Sequence, residues 1–233
     1  MPCTLPASLA DAAVCRGSFH AVLGGEVEDT AFADFSAALQ KAQAEGRLLT
    51  ASLFRYANHL FFSAEGLNRP FTPQGLCPAL DAALLPWPPA LGEAEPRPWA
   101  AMQPYFYHDV PTTAADWQQG RCPQRRRGRI ALLPPDSWCS YMEHHLRIVT
   151  EGLVEGDRWH LICVQEGVLF SYLEEPRTNV NIRHQPGAHS PELDAWIAAD
   201  PESHFARFTP EQKANPDSGH NFVFLPRIAG TED

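Results

Sequence analysis

A tyrosine and a histidine stand four residues apart, at Tyr141 and His145, in a segment with the pattern of a helix. Residues at this spacing are neighbours on the surface of a helix. An imidazole, with an ordinary pKa of about 6.5, can donate or accept a proton near neutrality, whereas a phenol, with a pKa of about 10, is better suited to orient a ligand or relay a proton. The pair could therefore carry general acid–base chemistry, with His145 as the acid or base. A histidine at the edge of a core can also be purely structural.

The apolar residues of this helix predict how it packs. At about 100° per residue, a stripe about 80° wide is formed by Trp138, Met142, Leu146, Val149 and Leu153. His145 lies roughly 20° outside one edge of the stripe, and Tyr141 lies about 40° further round. We therefore expect the stripe to be buried and the pair to lie at the margin of the core, where a polar side chain can reach a cavity.

The helix predicted in the first half of the chain, residues 30–44, gives a comparison within the molecule. When the two helices are aligned, Phe35 stands opposite Tyr141 and Leu39 stands opposite His145. If packing alone decided these positions, apolar residues would serve in both halves. The difference favours a functional role for His145.

The elements that must position the pair repeat along the chain. The first half is predicted as strand 19–23, helix 30–44 ending at Gly46, strands 48–54 and 59–65, helix 76–85 and strand 104–108. The second half is predicted as strand 129–133, helix 137–152, strands 159–164 and 168–174, helix 191–208 and strand 221–225. Both halves have the order β-α-β-β-α-β, and strands 59–65 and 168–174 are the most similar in residues.

This order predicts an α+β fold of two tandem ferredoxin-like (βαββαβ) units that form an internal pseudo-dimeric α/β barrel. The predicted domains are an N-terminal extension at 1–16, a first unit at 17–111, a basic linker at 112–128 and a second unit with the site at 129–228. The linker includes most of the run from Arg121 to Arg129, which holds five of the 18 basic residues. Because the rest of the chain is acidic, we expect this run to be solvated.

Charge and composition exclude several classes of function. With 18 basic and 28 acidic residues the net charge is −10, which disfavours nucleic acid as a partner. No apolar run approaches the roughly 20 residues that span a bilayer, and no signal-peptide pattern is present, so we predict no membrane partner and a cytoplasmic location. The six cysteines show no C-x-x-C spacing, and no histidine pair has ligand geometry, so free thiols, no metal and no cofactor are expected.

Motifs in both halves resemble one known family. In the second half they are Tyr141-x-x-x-His145, an aromatic-rich second strand and the third strand Leu169-Phe170-Ser171-Tyr172-Leu173-Glu174. In the first half they are Arg55-Tyr56-Ala57-Asn58-His59-Leu60-Phe61, Leu85-Pro86-Trp87 and Trp99-Ala100-Ala101-Met102, followed by Phe106 in the last strand. Together they cover most of residues 17–228, and the chain is similar in them to the L-rhamnose mutarotase family.

Members of that family are ferredoxin-like units that dimerise through their sheets and interconvert sugar anomers with a Tyr and a His on the first helix. The resemblance implies an isomerase that exchanges the anomers of a deoxyhexose or related aldose, with His145 and Tyr141 as catalytic residues. The chain departs from the family by fusing two units, by lacking the pair in the first unit, and by having residues 146–150 where Trp-Pro-Glu commonly follows the His.

A sugar substrate predicts further binding residues, because the C–H face of a pyranose packs on aromatic rings while its hydroxyls need fixed polar groups. The candidates are Trp159, Tyr172, Glu174 and Arg183, with Trp87 and Trp99 as further aromatic walls. Each aromatic residue can also belong to the core, and Arg183 can belong to a surface loop. His160 alternates with Trp159, so one of the two faces the interior, and the sequence leaves open which.

Two alternatives to the isomerase remain. The first is a non-catalytic carbohydrate or small-molecule binding protein on the same fold. The second is a haem or quinone oxidoreductase, which rests on fold analogy alone. The expected partner is a small-molecule sugar, and the expected state is a monomer, as a pseudo-dimer, or a weak homo-oligomer.

Overall fold

A computed structural model of the chain describes residues 6–151, 154–177, 183–184, 187, 189–213 and 221–231. The strands in this part are β1 Val14–Leu23, β2 Leu48–Tyr56, β3 His59–Leu67, β4 Leu84–Leu85, β5 Ala100–Tyr107, β6 Arg125–Leu132, β7 Val154–Glu155, β8 Leu161–Gln165, β9 Val168–Glu175, β10 Arg183–His184, β11 Val223–Leu225 and β12 Arg227–Gly230. The helices are α1 Asp29–Ala44, α2 Pro78–Ala82, α3 Ala114–Gln118, α4 Pro135–Glu151 and α5 Pro191–Ala198, with 3-10 turns at Ala7–Leu9, Pro201–His204 and Pro210–Gln212.

The chain divides into two compact units. The first comprises Met1–Met102, Pro111–Gln124 and Pro226–Asp233, and the second comprises Gln103–Val110 and Arg125–Leu225. Strand β5 contributes residues 100–102 to the first unit and residues 103–107 to the second.

The first unit contains antiparallel strands in the order β5-β1-β3-β2-β12, with β4 paired to β1. Helix α1 packs on this sheet through Phe35 and Leu39, both fully buried. The ring of Phe35 contacts Phe62 edge-on and stacks on Trp99. Each such side chain contributes about 1.5–3 kcal/mol by leaving water, so this core is what orders α1.

Helix α1 ends in the way its sequence predicts. Gly46 takes a φ of 69°, in the left-handed region that favours glycine. The backbone N–H groups of Gly46 and Arg47 donate to the carbonyls of Gln43 and Ala42, which would otherwise lack partners at the end of the helix.

The second unit contains antiparallel strands in the order β11-β6-β9-β8-β5. Its core, under α4 and α5, includes Tyr141, Ile148, Leu169 and Trp196. The elements follow the chain as β6-α4-β8-β9-α5-β11, the same order as β1-α1-β2-β3-α2-β5 in the first unit. The predicted α+β class is confirmed.

Helix α4 buries a different face from the predicted stripe. Its buried residues are Tyr141, His145 and Ile148. Trp138 is 40% exposed and Leu146 is 63% exposed, while Met142 and Val149 pack at the margin of the core. Leu153 lies outside the described residues. The buried face is rotated roughly a quarter turn from the stripe, because aromatic rings from other elements of the unit pack on the tyrosine and histidine.

The buried face of α4 nevertheless matches that of α1 at three aligned positions, although Phe32 is buried and the aligned Trp138 is 40% exposed. Phe35, Leu39 and Ala42 are buried in α1, and Tyr141, His145 and Ile148 are buried at the aligned positions of α4. The two helices thus bury equivalent positions, and the polar pair occupies apolar sites of the repeat.

The N-terminal part of the predicted linker is packed into the first unit. Trp117, on α3, is fully buried and donates its Nε1–H to Oε1 of Glu65 at 2.6 Å. Arg121 binds both oxygens of the same carboxylate, at 2.7 and 3.2 Å, and Thr50 donates to it at 2.9 Å. A buried carboxylate requires such partners, so Glu65 fixes this segment.

The rest of the basic run belongs to β6, not to a linker. Arg126 and Arg127 are buried, and they pair with Glu174 and Glu175 of β9 at 3.5 and 3.0 Å. The expectation of a solvated run was therefore wrong. The partners that remove these charges from water lie about 50 residues away along the chain, where sequence composition gives no sign of them.

Other predicted boundaries also shift. Strand β1 begins at Val14, inside the predicted N-terminal extension, and β12 pairs with β2 of the first unit although residues 226–228 were assigned to the second. Helix α5 ends at Ala198, well before residue 208, because Asp200 adopts a positive φ and Pro201 interrupts the helix.

None of the helices in the described part of the chain has the length and apolar character needed to cross a membrane.

Candidate functional site

A cavity of about 680 Å³ lies in the second unit. Its ionisable and polar wall residues are His108, Arg129, Tyr141, His145, Asp157, His160, Arg177 and Glu202. The aromatic part of the wall includes Phe106, Trp196, Phe205 and Phe222. Apolar walls with a few convergent polar groups are the usual form of a small-molecule site.

His145 is held in place by its own helix and by the rings around it. Its side chain is 4% exposed, and Nδ1 lies 2.9 Å from the carbonyl oxygen of Tyr141. Because a carbonyl can only accept, Nδ1 carries the proton and Nε2 carries the lone pair. The rings of Phe106 and Trp196 contact the imidazole edge-on, at centroid distances of 4.8 and 4.7 Å. Nε2 has no hydrogen-bond partner among the described residues.

Burial lowers the pKa of His145 to about 4. The bond to the Tyr141 carbonyl opposes this shift, and the neighbouring histidines 144, 204 and 108 add to it. The imidazole is therefore neutral at pH 7, and its unprotonated Nε2 is suited to accept a proton from a ligand.

Tyr141 stands next to His145 on the cavity wall, with ring centroids 4.3 Å apart. Burial raises the pKa of Tyr141 to about 12, while Tyr105 and Arg129 act in the opposite direction. The ring of Phe205 contacts it edge-on at 5.0 Å. Tyr141 thus keeps its proton at pH 7 and remains a hydrogen-bond donor.

Two further histidines, His108 and His160, also line the cavity. Burial lowers the pKa of His108, with Arg177 in the same direction and Asp157 in the opposite one. Burial also lowers the pKa of His160, and the charges of Arg129 and Arg177 add to that shift. Like His145, both rings are neutral at pH 7 and can donate or accept a hydrogen bond.

Gly156 leaves the room that His108 occupies. A Cβ at position 156 would lie 1.8 Å from Cδ2 of His108, far closer than non-bonded atoms approach. A side chain at this position would displace the ring, so the glycine is required by close approach and not by an unusual backbone angle.

The charged wall residues differ in how they are compensated. Nε of Arg177 pairs with Oδ2 of buried Asp157 at 3.1 Å. Glu202 accepts a hydrogen bond from Nδ2 of Asn221 at 2.6 Å. In contrast, Nε of Arg129 is buried without a hydrogen-bond partner, and Arg129 forms no ion pair within the described part of the chain.

Tyr172 and Glu174, both predicted to bind substrate, do not line the cavity. The Tyr172 hydroxyl donates to Oε1 of Glu174 at 2.6 Å, and the same carboxylate pairs with Arg126. On β9 Tyr172 and Glu174 lie on the face of the strand opposite to Leu169, and Leu169 lies in the core under α4. The structure therefore does not bring them together with His145.

The other predicted binding residues are also apart from the pair. Trp159 lies in the turn before β8 and is not a wall residue, whereas His160 is. Arg183 lies in β10, paired with β7, and its side chain is outside the described residues. Trp99 belongs to the core of the first unit, and Trp87 contacts His20 of that unit. Of the predicted site residues, Tyr141 and His145 thus lie together on the cavity wall.

Sequence reasoning missed five ionisable wall residues, His108, Arg129, Asp157, Arg177 and Glu202. The basic run predicts that Arg129 is solvated, but Arg129 alternates with Ile130 and so shares a strand face with Ala131 of the core. That alternation was the available signal. His108, Asp157 and Arg177 lie outside strands and helices, where no periodicity marks which way a side chain points.

The described residues contain no group of three or more His, Cys, Asp or Glu side chains that could hold a metal ion. The site offers neutral imidazoles, the phenol of Tyr141 and the guanidinium of Arg129, which has no counter-ion in the part of the chain that the structure describes. The imidazoles can accept or donate a hydrogen bond, the phenol can donate one, and the guanidinium can bind an anion.

No protein-family model and no curated protein matches the chain. Among solved structures, the chain is similar to a "putative monooxygenase" from Fusobacterium nucleatum subsp. nucleatum, with 8% identity, a TM-score of 0.40 and 95% of each chain covered. A similarity of this size supports no conclusion about activity. The fold and the cavity describe an α+β protein whose second unit contains a cavity lined by aromatic rings, imidazoles and arginines.

Proposed function

We propose that the protein is a mutarotase-like isomerase that exchanges the anomers of a deoxyhexose or related aldose in the cavity of the second unit. The observation that carries the proposal is His145, a buried neutral imidazole with Nδ1 bound to a backbone carbonyl and Nε2 without a partner in the described part of the chain. It shares the cavity wall with the phenol of Tyr141.

The proposal includes two tandem ferredoxin-like units that form a pseudo-dimeric barrel. Support comes from the strand orders: counting the four main strands of each unit along the chain, both β5-β1-β3-β2 and β11-β6-β9-β8 read 4-1-3-2. Each unit also carries a buried glutamate, Glu65 or Glu174, at the aligned end of its third strand, and each glutamate is paired with arginine. This correspondence favours duplication of one ancestral unit.

Anomer exchange requires two proton transfers and no change of oxidation state. Nε2 of His145 accepts the proton of the C1 hydroxyl, the bond between C1 and the ring oxygen breaks, and Tyr141 donates its proton to that oxygen. The product is the open-chain aldehyde. The imidazolium then returns a proton to the phenolate, so the protein is regenerated before the ring closes on either face of C1.

The perturbed pKa values set the starting protonation states that these roles need. A histidine with a pKa of about 4 is unprotonated at pH 7 and ready to act as base, and a tyrosine with a pKa of about 12 is protonated and ready to act as acid. Arg129, whose positive charge lowers the pKa of Tyr141, stabilises the phenolate that forms for a moment in the reaction.

The test is saturation-transfer NMR of anomer exchange with a panel of aldoses. We expect the native protein to accelerate exchange and His145→Ala to lose about 100-fold or more of the acceleration, the range of general acid–base catalysis. His144→Ala is the matched control, since His144 is the adjacent residue of α4 but is not a wall residue, and we expect its rate to stay within about twofold of the native value.

No acceleration for any aldose would overturn the isomerase. Calorimetric binding of a sugar without exchange, unchanged by His145→Ala, would assign the protein as a non-catalytic binding protein instead. If His144→Ala lost as much rate as His145→Ala, the loss would reflect damage to α4 and not the removal of a base.

A further inference from the structure

The role given to Arg129 above, stabilising the Tyr141 phenolate, leaves the Arg129 Nε without a hydrogen-bond acceptor among the described residues. Arg129 lies on β6, and its guanidinium carbon is 4.4 Å from the centroid of the Phe222 ring. Its Nε is buried and has no hydrogen-bond partner among the described residues. Since an arginine cannot lose its proton in a protein, the cavity holds a positive charge that these residues leave unpaired.

The carboxylates of the cavity wall are already engaged. Asp157 pairs with Arg177, and Glu202 accepts a hydrogen bond from Asn221. The charged group that acts most strongly on Arg129 is the like-charged Arg177, which together with burial lowers the Arg129 pKa. Leaving a partly buried guanidinium without a counter-ion is costly, so an anion entering the cavity would be stabilised by it.

The surroundings of Arg129 favour an oxyanion. The Phe222 ring covers the face of the guanidinium, which leaves the N–H groups at its edge for bonds in the plane. A carboxylate or a phosphate accepts two parallel bonds from such an edge. Burial and then the charge of Arg129 lower the pKa of His160, which lines the same cavity.

We propose that the ligand of this cavity is an aldose that carries an oxyanion, either a carboxylate or a phosphate, and that Arg129 binds this group. The choice of an aldose rests on the proposed isomerase. The preference for an anion rests on Arg129 alone and can be tested without turnover.

The test measures binding by calorimetry at fixed ionic strength with four probes: glucuronate, its neutral amide glucuronamide, glucose 6-phosphate and glucose. We expect at least one anionic probe to bind about tenfold or more tightly than its neutral counterpart, as is usual for hydrogen bonds to a charged group. The comparison of acid with amide uses the native protein, so it does not depend on any variant folding.

Arg129→Met removes the charge, and we expect it to abolish the preference while changing the affinity for glucose by less than about twofold. Arg125→Met is the matched control, because Arg125 is an exposed arginine of the same strand that does not line the cavity. It should retain the preference. Circular dichroism and thermal unfolding of all variants check that each is folded.

Equal binding of both anionic probes and their neutral counterparts, no binding of any probe, or a preference that survives in Arg129→Met would each overturn the proposal. Preference for glucuronate assigns the oxyanion as a carboxylate, and preference for glucose 6-phosphate assigns it as a phosphate. Anion binding without anomer exchange would leave this proposal standing and remove the isomerase. Exchange limited to neutral sugars would leave the isomerase standing and overturn the preference for an anion.

Discussion

Replacing His145 by leucine gives a quantitative test of the site. Leucine is the residue at the aligned position of the first unit, Leu39, which is fully buried. The substitution therefore keeps an apolar side chain that this type of helix already accommodates, and it removes one titrating group. What it should change is the dependence of stability on pH.

The size of the change follows from the pKa of His145, which is about 4 in the folded protein and about 6.5 in an unfolded chain. Because the folded value is the lower one, the unfolded state takes up the proton first as the pH falls. The contribution of His145 is fully present above pH 6.5, declines between about 6.5 and 4, and is constant below 4. The total loss is about 3 kcal/mol.

The assay is urea unfolding at a series of pH values between 7 and 4, with amide hydrogen exchange of α4 to report on the second unit. Native protein should lose about 3 kcal/mol more than His145→Leu across this range. Groups that do not interact with His145 contribute equally to both curves and cancel in the difference. Parallel curves for the two proteins would refute the reasoning, because they would mean that His145 titrates in the fold as it does in water.

Two further predictions concern single contacts. Arg121→Met leaves the buried carboxylate of Glu65 without its counter-ion and should lower the free energy of unfolding by about 3–5 kcal/mol. Arg47→Met breaks an exposed ion pair and should lower it by less than about 1 kcal/mol. Equal losses in urea titrations would contradict the structural role given to Glu65. Gly156→Ala should displace the ring of His108 and shift its imidazole NMR signals, since the new Cβ would overlap that ring; unchanged signals would show that the close approach is absent.

The repeat shows that Tyr141 and His145 occupy positions that belong to the core of the unit. Phe35 and Leu39 show that these two helix positions are core positions of the unit, and Tyr141 and His145 occupy the same positions in the second unit. Polar groups at core positions cost stability unless they are hydrogen-bonded or used. The pair is therefore best explained by the cavity beside it.

Periodicity predicted the elements well where the pattern is local. Both β-hairpins, the end of α1 at Gly46 and the element order of each unit follow from alternation, helical spacing and turn residues that lie within a few positions of one another. The same local rules place Tyr141 next to His145 on one helix, as the structure has them.

The failures share one cause, which is dependence on distant residues. The buried face of α4 could not be read from Trp138 and Leu146, because Trp196 and Phe106 pack on the other side of the helix. The basic run could not be recognised as buried, because the carboxylate that pairs with Arg121 comes from β3.

The sequence by itself thus determined the order of the main strands and helices in each unit, and that a phenol and an imidazole are neighbours, because these properties depend on short-range spacing. Only the tertiary structure decided that His145 is neutral and that Arg129 shares its cavity. Desolvation and unpaired charge depend on what surrounds a group in three dimensions, and those surroundings come from β5, β6 and α5, far apart along the chain.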